Sequence, residues 1–171
     1  ILAPGLINCH CHLELSHLKK AIPPGTGLIT FLKSVVQKRG FDADVIQKAI
    51  EQAEQEMYNN GIVAVGDISN QADAVQVKRK SKIRWRTFIE VLSISDERAP
   101  ENIEHYSQVL KTHLEHLHAP NCSALGPHAP YTISKKSFEL INDRTEREII
   151  SIHNQEHPAE DELYRTGKGE F

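Results

Sequence analysis

The sequence has few of the features that mark secreted, membrane or nucleic-acid-binding proteins. Its 3 cysteines in 171 residues are too few, and odd in number, for a disulfide framework, so we expect a reducing compartment, with the cytoplasm as the default. No stretch approaches the roughly 18–20 apolar residues of a membrane span, and the first residues lack the basic flank of a signal peptide. A formal net charge of -3 argues against a nucleic-acid partner.

The composition is that of a folded domain. A hydrophobic fraction of 39% and a charged fraction of 25% suit one soluble domain, or a large part of one, with enough apolar side chains for a core. The chain does not begin with Met, and its last residues, TGKGEF, form no evident terminator. We therefore expect it to be a piece of a longer polypeptide.

Two charged or histidine-rich runs suggest binding sites, but their context disfavours that interpretation. The basic run KRKSKIR, residues 78–84, leads directly into an apolar strand pattern, which favours a solvated helix end over a phosphate-binding patch. The run HLEHLHAP, residues 113–120, lacks the H-E-x-x-H order of a zinc site and closes a helix whose apolar side is Leu110, Leu114 and Leu117. It is also predicted to be a solvated helix end.

Short apolar runs alternate with segments of helical period along the chain. Apolar residues at spacings of three and four predict helices within residues 28–36, 46–57 and 103–117. The five short runs, each typical of a buried parallel strand, are residues 6–7, 62–65, 85–92, 123–125 and 148–152. This alternation predicts a parallel α/β sheet, in which groups at the carboxyl ends of the strands face a common mouth.

The stretch NCHCHLE, residues 8–14, places two histidines and two cysteines at the end of the first predicted strand. Side chains alternate along a strand, so His10 and His12 point to one side and Cys9 and Cys11 to the other. Neutral imidazoles are the usual ligands of a catalytic zinc, whereas a closed Cys2His2 site needs ligands about two to four residues apart on a turn. The histidines are therefore the favoured metal-binding pair, with two structural histidines as the alternative. The cysteines are expected to pack as small hydrophobic residues.

Two further strand ends carry residues that suit a metal-dependent hydrolase. His153 follows the fifth apolar run and can supply a third nitrogen ligand, and Glu156, three residues on, can act as a proton shuttle for the activated water. His128 follows the fourth run in the rigid loop GPHAPY. It is predicted to bind the substrate or the tetrahedral intermediate, with a hydrogen-bonded loop histidine as the alternative.

Two carboxylates near these strand ends have alternative roles. Glu14 points to the side of His12 if the strand continues, where it could hold a substrate hydroxyl such as that of a ribose, and a loop carboxylate is the alternative. Asp67 ends the second run, where it could orient a ligand histidine or cap the next helix.

The motifs PGLINCHCHLE, GPHAPYTIS and HNQEHPAE, in this order, resemble those of the amidohydrolase superfamily, in its cytosine, guanine and adenosine-type deaminase branch. The resemblance implies that His10, His12 and His153 bind one divalent metal, Zn²⁺ or, as the alternative, Fe²⁺. It also implies that Glu156 is the general acid/base and that His128 contacts the substrate. No lysine stands at the end of the fourth strand, where binuclear members carry one, so one metal is expected.

The same resemblance implies a distorted (β/α)8 barrel flanked by a small β-sandwich. Residues 1–171 are then the N-terminal part of the barrel domain, with the first five βα units and without the sandwich. The histidine that the family carries after its sixth strand and the aspartate after its eighth lie outside this chain. A whole barrel needs about 250 residues, so we expect a partial barrel with an open edge that does not fold stably by itself.

The function expected from the resemblance is hydrolytic deamination of an aminopurine nucleoside by metal-activated water. Within the branch, the motifs look most like those of aminodeoxyfutalosine deaminases and of relatives that act on S-adenosylhomocysteine or methylthioadenosine. The alternatives are cleavage of a cyclic amide or carbon–halogen bond, and a non-catalytic barrel that acts as a binding module. We expect a small-molecule partner, no nucleic acid and no membrane, and a homodimer stays open as the assembly.

Overall fold

The computed structural model describes residues 2–120, 122–146 and 148–171 and contains one parallel sheet. Its 4 strands lie in chain order. They are β1 (Leu6–Cys11), β2 (Ile62–Ser69), β3 (Arg84–Val91) and β4 (Cys122–Pro127). The predicted α/β class is confirmed, and parallel pairing brings the carboxyl ends of all four strands to one edge of the sheet.

Six α-helices connect or follow the strands in the described ranges. They are α1 (Leu28–Lys38), α2 (Ala43–Asn59), α3 (Val75–Lys80), α4 (Ala99–His116), α5 (Lys135–Arg144) and α6 (Pro158–Thr166). Short 3-10 helices span Leu13–Leu18 and Pro130–Thr132. The three helices predicted from periodicity correspond to α1, α2 and α4. None of the described helices combines the length and the apolar character needed to cross a bilayer.

The helices pack on the sheet through two apolar clusters. In the first, Ile50 of α2 contacts Val65 and Trp85 of the neighbouring strands, and all three are at most 2% exposed. In the second, residues of β3 and β4 pack against Ile103 of α4 and Ile141 of α5. Each such side chain contributes about 1.5–3 kcal/mol when it is fully buried, so these clusters fix the sheet whose edge carries the polar residues.

The fifth predicted strand, residues 148–152, is not in strand conformation in the described residues. The segment nevertheless runs beside β4, because a Cβ on Gly126 would lie 3.0 Å from the Ser151 carbonyl oxygen, and the His153 N–H donates to the His128 carbonyl over 2.8 Å. The segment still delivers His153 to the mouth.

The prediction that both the basic run and the histidine-rich run are solvated is wrong at one polar residue of each. Lys78 of α3 and His113 of α4 are both 0% exposed. Spacings of three and four after Leu110 allow either His113 or Leu114 to face the core, and the structure buries the histidine and leaves Leu114 50% exposed. The His113 Nε2 lies 3.1 Å from the carbonyl oxygen of Gln71, which satisfies one ring nitrogen in the interior.

The buried His113 predicts a pH-dependent stability. Burial, aided by the nearby charge of Lys78, lowers the pKa of His113 to about 4. The unfolded chain therefore binds the proton more readily, so the stability from the neutral ring is complete above pH 6.5 and is lost as the pH falls towards 4. We expect this histidine to account for roughly 2–3 kcal/mol of that loss.

Denaturant unfolding of the complete polypeptide, as the parent and as His113→Gln, at pH 7 and pH 4.5 measures this contribution. Glutamine keeps a donor for the Gln71 carbonyl and does not titrate, so the variant should lose less stability on acidification. His105→Gln, at an exposed position of the same helix, should behave like the parent. An acid sensitivity of His113→Gln equal to that of the parent contradicts the assignment.

Candidate metal centre and active site

Three histidines converge at the carboxyl edge of the sheet. His10 is the next-to-last residue of β1, His12 follows that strand directly, and His153 follows the segment beside β4. The ring centroid of His10 lies 5.2 Å from that of His12 and 4.9 Å from that of His153, and the His12 and His153 centroids are 5.4 Å apart. The structure thus brings together the three residues predicted to bind a metal.

The chemistry of these side chains fits a divalent cation. One ring nitrogen from each of His10, His12 and His153 lies within 4.8 Å of the others. A tetrahedral zinc with bonds of about 2 Å holds its ligands roughly 3.4 Å apart, so small ring rotations would close the set. Burial lowers the pKa of His12, which keeps this imidazole neutral and its lone pair available for a metal.

Glu90 is a residue of this edge that the sequence analysis missed. It is the next-to-last residue of β3 and is 4% exposed, and its Oε1 lies 3.0 Å from His153 Nε2 and 4.0 Å from His128 Nε2. Burial opposes its ionisation, but the hydrogen bond from His153 and the nearby imidazoles outweigh it and hold the pKa of Glu90 below its usual value. The signal in the sequence was a single acid in the apolar run TFIEVL.

His128 is held by the rigid loop that follows β4. Its Nδ1 lies 2.6 Å from the hydroxyl of Thr132, and its backbone N–H donates to the Val91 carbonyl over 3.1 Å. The ring centroids of His128 and His153 are 5.2 Å apart. Both roles considered for His128 fit this position, since the ring is hydrogen-bonded within its loop and also borders the three converging histidines.

Glu156 lies beside His153 and is the more accessible of the two carboxylates near that ring. Its Oε1 is 3.4 Å from His153 Nδ1, and its side chain is 38% exposed. Gln155 takes a left-handed φ of 59°, a conformation that costs a non-glycine residue energy. The backbone N–H of Glu156 donates to Glu160 over 3.0 Å, and Glu160 is 1% exposed. The chain is thus turned and anchored so that Glu156 faces the histidines.

Glu14 is bound to the loop after β2. Its two carboxylate oxygens accept the backbone N–H groups of Asn70 and Gln71, each over 3.0 Å, and Arg39 approaches to 3.7 Å. Burial raises the pKa of Glu14 to about 7 in spite of these bonds. These contacts match the loop-carboxylate alternative, and the substrate contact stays a prediction.

Asp67 holds the backbone next to His12 and pairs with a buried lysine. Its Oδ1 accepts the backbone N–H of Leu13 over 2.8 Å, at the residue that follows His12, and its Oδ2 forms an ion pair with Lys78 over 2.5 Å. Both charged residues are 0% exposed. Asp67 therefore fixes the turn that carries His12 through the Leu13 backbone, which agrees with the alternative that it orients a ligand histidine. The N-cap of α3, Ala74, has no side-chain cap hydrogen bond, so the capping alternative is not supported.

The two cysteines of the CHCH stretch differ in burial. Cys11 packs against the first apolar cluster, as predicted, and burial raises the pKa of its thiol to about 12. Cys9 is exposed, so the prediction is wrong there. The register between β1 and β2 shifts from Asn8 to Cys11, so the two cysteines do not follow a regular alternation.

The two histidines nearest the site in sequence have structural contacts. His17 lies 3.2 Å from the carbonyl oxygens of Glu14 and Arg39 through its two ring nitrogens. His157 Nδ1 accepts the backbone N–H of Ala159 and caps α6. Two groups in the described part of the chain could hold a metal, His10 with His12 and His153, and Glu90 with His128 and His153, and neither His17 nor His157 belongs to them.

Comparison with known proteins identifies the family. The family model described as Amidohydrolase family matches residues 1–170. The chain belongs to the amidohydrolase family. Among curated relatives, it is 28% identical to an adenosine deaminase of Helicobacter pylori, over 100% of this chain and 42% of the relative. It is also 28% identical to an aminodeoxyfutalosine deaminase of Nitratiruptor, over 100% of this chain and 43% of that protein.

Solved structures of amidohydrolases share the fold. Aminofutalosine deaminase of Helicobacter pylori, crystallised with methylthio-coformycin, aligns with a TM-score of 0.80 and 28% identity over 97% of this chain and 40% of that chain. An adenosine deaminase of Xanthomonas campestris with bound zinc, 19% identical, gives a TM-score of 0.75 over 97% of this chain and 40% of that chain and shows the fold alone. The partial barrel is confirmed, and the chain spans about two fifths of the length of these relatives.

Proposed function

We propose that the polypeptide containing residues 1–171 is a metal-dependent hydrolase that deaminates an aminopurine nucleoside. The observation that carries the proposal is the convergence of His10, His12 and His153, with ligand nitrogens within 4.8 Å, next to the accessible carboxylate of Glu156. This set combines a metal site with a base. A non-catalytic binding module has no need of that combination, so the hydrolase is favoured.

In the proposed site, His10, His12 and His153 hold one divalent ion, Zn²⁺ or, as the alternative, Fe²⁺. The chemistry that such an ion supplies is Lewis acidity, which lowers the pKa of water towards about 7. Glu156 takes the proton from the attacking water and returns it to the ring nitrogen or to the departing amine. A carbon–oxygen bond forms, the carbon–nitrogen bond of the amino group breaks, and ammonia leaves an oxo-purine.

The remaining residues have proposed supporting roles. His128, held at Nδ1 by Thr132, presents its other ring nitrogen to the space beside His153 and is proposed to contact the substrate. Glu14 is the second proposed substrate contact, through a ribose hydroxyl, and this role requires its carboxylate to exchange a backbone partner for the substrate. The similarity to an adenosine deaminase and an aminodeoxyfutalosine deaminase supports a nucleoside as the substrate.

The chain is proposed to be the N-terminal part of the barrel domain of a cytoplasmic protein. The chain matches about two fifths of the length of its relatives, which supports its being one part of a larger domain. The three free cysteines agree with a cytoplasmic location. The proposed partner is a small molecule.

The proposal is tested by metal analysis and a deamination screen of the complete polypeptide. The substrates are adenosine, 5'-deoxyadenosine, methylthioadenosine, S-adenosylhomocysteine and aminodeoxyfutalosine, and the readouts are ammonia release and the ultraviolet shift from aminopurine to oxo-purine. We expect one divalent ion per chain and turnover of at least one nucleoside, abolished by His12→Asn. Metal-loaded protein that opens a cyclic amide or a carbon–halogen bond, and releases no ammonia from any nucleoside, would overturn the deaminase assignment.

A further inference from the structure

Glu90 is a carboxylate buried at a position that its neighbours fill with apolar side chains. Ile89 and Val91, on either side of it in β3, are 0% exposed, and Glu90 itself is 4% exposed. Burying a carboxylate is costly unless hydrogen bonds compensate for the lost hydration. The partners of Glu90 therefore indicate what the charge does at this place.

One carboxylate oxygen of Glu90 is fixed by an amide, and the other faces the histidines. Asn70 Nδ2 donates to Glu90 Oε2 over 3.1 Å and to the Glu90 backbone oxygen over 2.9 Å. Asn70 is held in turn, because its backbone N–H donates to Glu14. This arrangement directs Oε1 of Glu90 to His153 Nε2, at 3.0 Å.

His153 thus has a carboxylate at each ring nitrogen, and the two carboxylates differ in their surroundings. Glu90 lies 3.0 Å from Nε2 with a side chain 5% exposed, and Glu156 lies 3.4 Å from Nδ1 with a side chain 38% exposed. An imidazole that binds a metal commonly donates its other N–H to a carboxylate, which fixes the ring orientation. A carboxylate that exchanges protons with water has to remain free of such a bond.

We propose that Glu90 is the positioning residue of the metal centre: it accepts the N–H of His153, fixes that ring for the metal, and leaves Glu156 free to move protons. The inference rests on the proposed function, since it divides two roles between two carboxylates. The buried, clamped Glu90 holds the ring, and the accessible Glu156 acts on the water. Glu90 does not touch the reacting atoms in this assignment.

Metal affinity separates the two roles without any substrate. The zinc affinity of the complete polypeptide is measured for the variants Glu90→Leu and Glu156→Leu. A chromogenic chelator competes with the protein for the zinc. We expect Glu90→Leu to weaken zinc binding by about 10- to 100-fold and Glu156→Leu to bind close to the parent. Glu90→Gln, which keeps an acceptor oxygen without the charge, should recover part of the loss.

Two further measurements distinguish positioning from a loss of folding. The visible absorption of the Co²⁺-loaded protein should change in Glu90→Leu, because the geometry of one ligand ring is released. Its melting temperature should stay near that of the parent, since the Asn70 amide retains the backbone oxygen of residue 90. Glu54→Leu is the control, because Glu54 also accepts a hydrogen bond, from Ser81, and lies outside the site.

Parent-like zinc affinity and Co²⁺ absorption in Glu90→Leu would overturn the inference, as would an equal loss of affinity in Glu156→Leu. The outcome is independent of the deaminase assignment. A loss of metal in Glu90→Leu, in a protein that deaminates no nucleoside, would retain the positioning role and remove only the proposed reaction.

Discussion

Replacing Glu156 by glutamine is expected to lower kcat of the complete polypeptide by about 10²- to 10⁴-fold, the usual contribution of a positioned general base. Glutamine has nearly the same shape, but it cannot take up the proton of the attacking water. The bound metal should stay, because Glu156 is not among the residues whose ligand atoms cluster around His10, His12 and His153. Steady-state kinetics on the best nucleoside, together with metal analysis, measures both effects.

The matched control is Glu162→Gln, on the exposed side of the neighbouring helix α6. Like Glu156→Gln, it removes one carboxylate charge, and Glu162 lies close to Glu156 in the sequence. It should leave kcat unchanged. If Glu156→Gln keeps activity within about tenfold of the parent, Glu156 does not shuttle the proton. If it loses the metal together with the activity, its role is to hold the ion or its ligands.

The three clustered histidines could be predicted because their positions follow from local rules. The two rules are alternation along a strand and the gathering of parallel strand ends at one edge of the sheet. The register shift in β1 interrupts the first rule, so the second accounts for the cluster. Neither rule needs knowledge of how the helices pack. The structure places His153 beside the other two rings although its segment lacks strand conformation, because its position depends only on the end of that segment beside β4.

Glu90 could not be placed with the same rules. The predicted strand 85–92 left this residue inside an apolar run, whereas β3 ends at Val91 and brings Glu90 to the edge of the sheet. A hydrophobic pattern does not define the end of a strand to within one residue, yet a shift of one residue decides whether a side chain reaches the site. The partners of Glu90 are Asn70, which follows β2, His128, which follows β4, and His153, which ends the segment beside β4, and no periodicity connects them.

The buried ion pair between Lys78 and Asp67 could not be predicted from the sequence for a related reason. The run that contains Lys78 holds several basic residues, and only the docking of α3 on the sheet selects which lysine enters the interior. His113 shows the same limit, since spacings of three and four are both helical. Packing between elements, rather than the pattern within one, decides these cases.

Replacing Lys78 by methionine is expected to destabilise the protein by about 3–5 kcal/mol, the typical cost of removing one partner of a buried ion pair. Lys78 Nζ lies 2.5 Å from Asp67 Oδ2 and 3.0 Å from the Thr87 hydroxyl, and both charged residues are 0% exposed. Methionine fills a similar volume, so the loss arises mainly from the unpaired Asp67. Chemical denaturation at pH 7 measures the change in the free energy of unfolding.

A second change separates the unpaired charge from the lost packing. Asp67→Asn in the Lys78→Met background removes the buried charge, yet its side-chain oxygen can still accept the N–H of Leu13. We therefore expect the double variant to be more stable than Lys78→Met alone. Lys80→Met, on the exposed side of the same helix, should change stability by no more than about 0.5 kcal/mol. Equal stability of Lys78→Met and Lys80→Met would contradict the buried pair, and a double variant no better than Lys78→Met would show that the loss is one of packing.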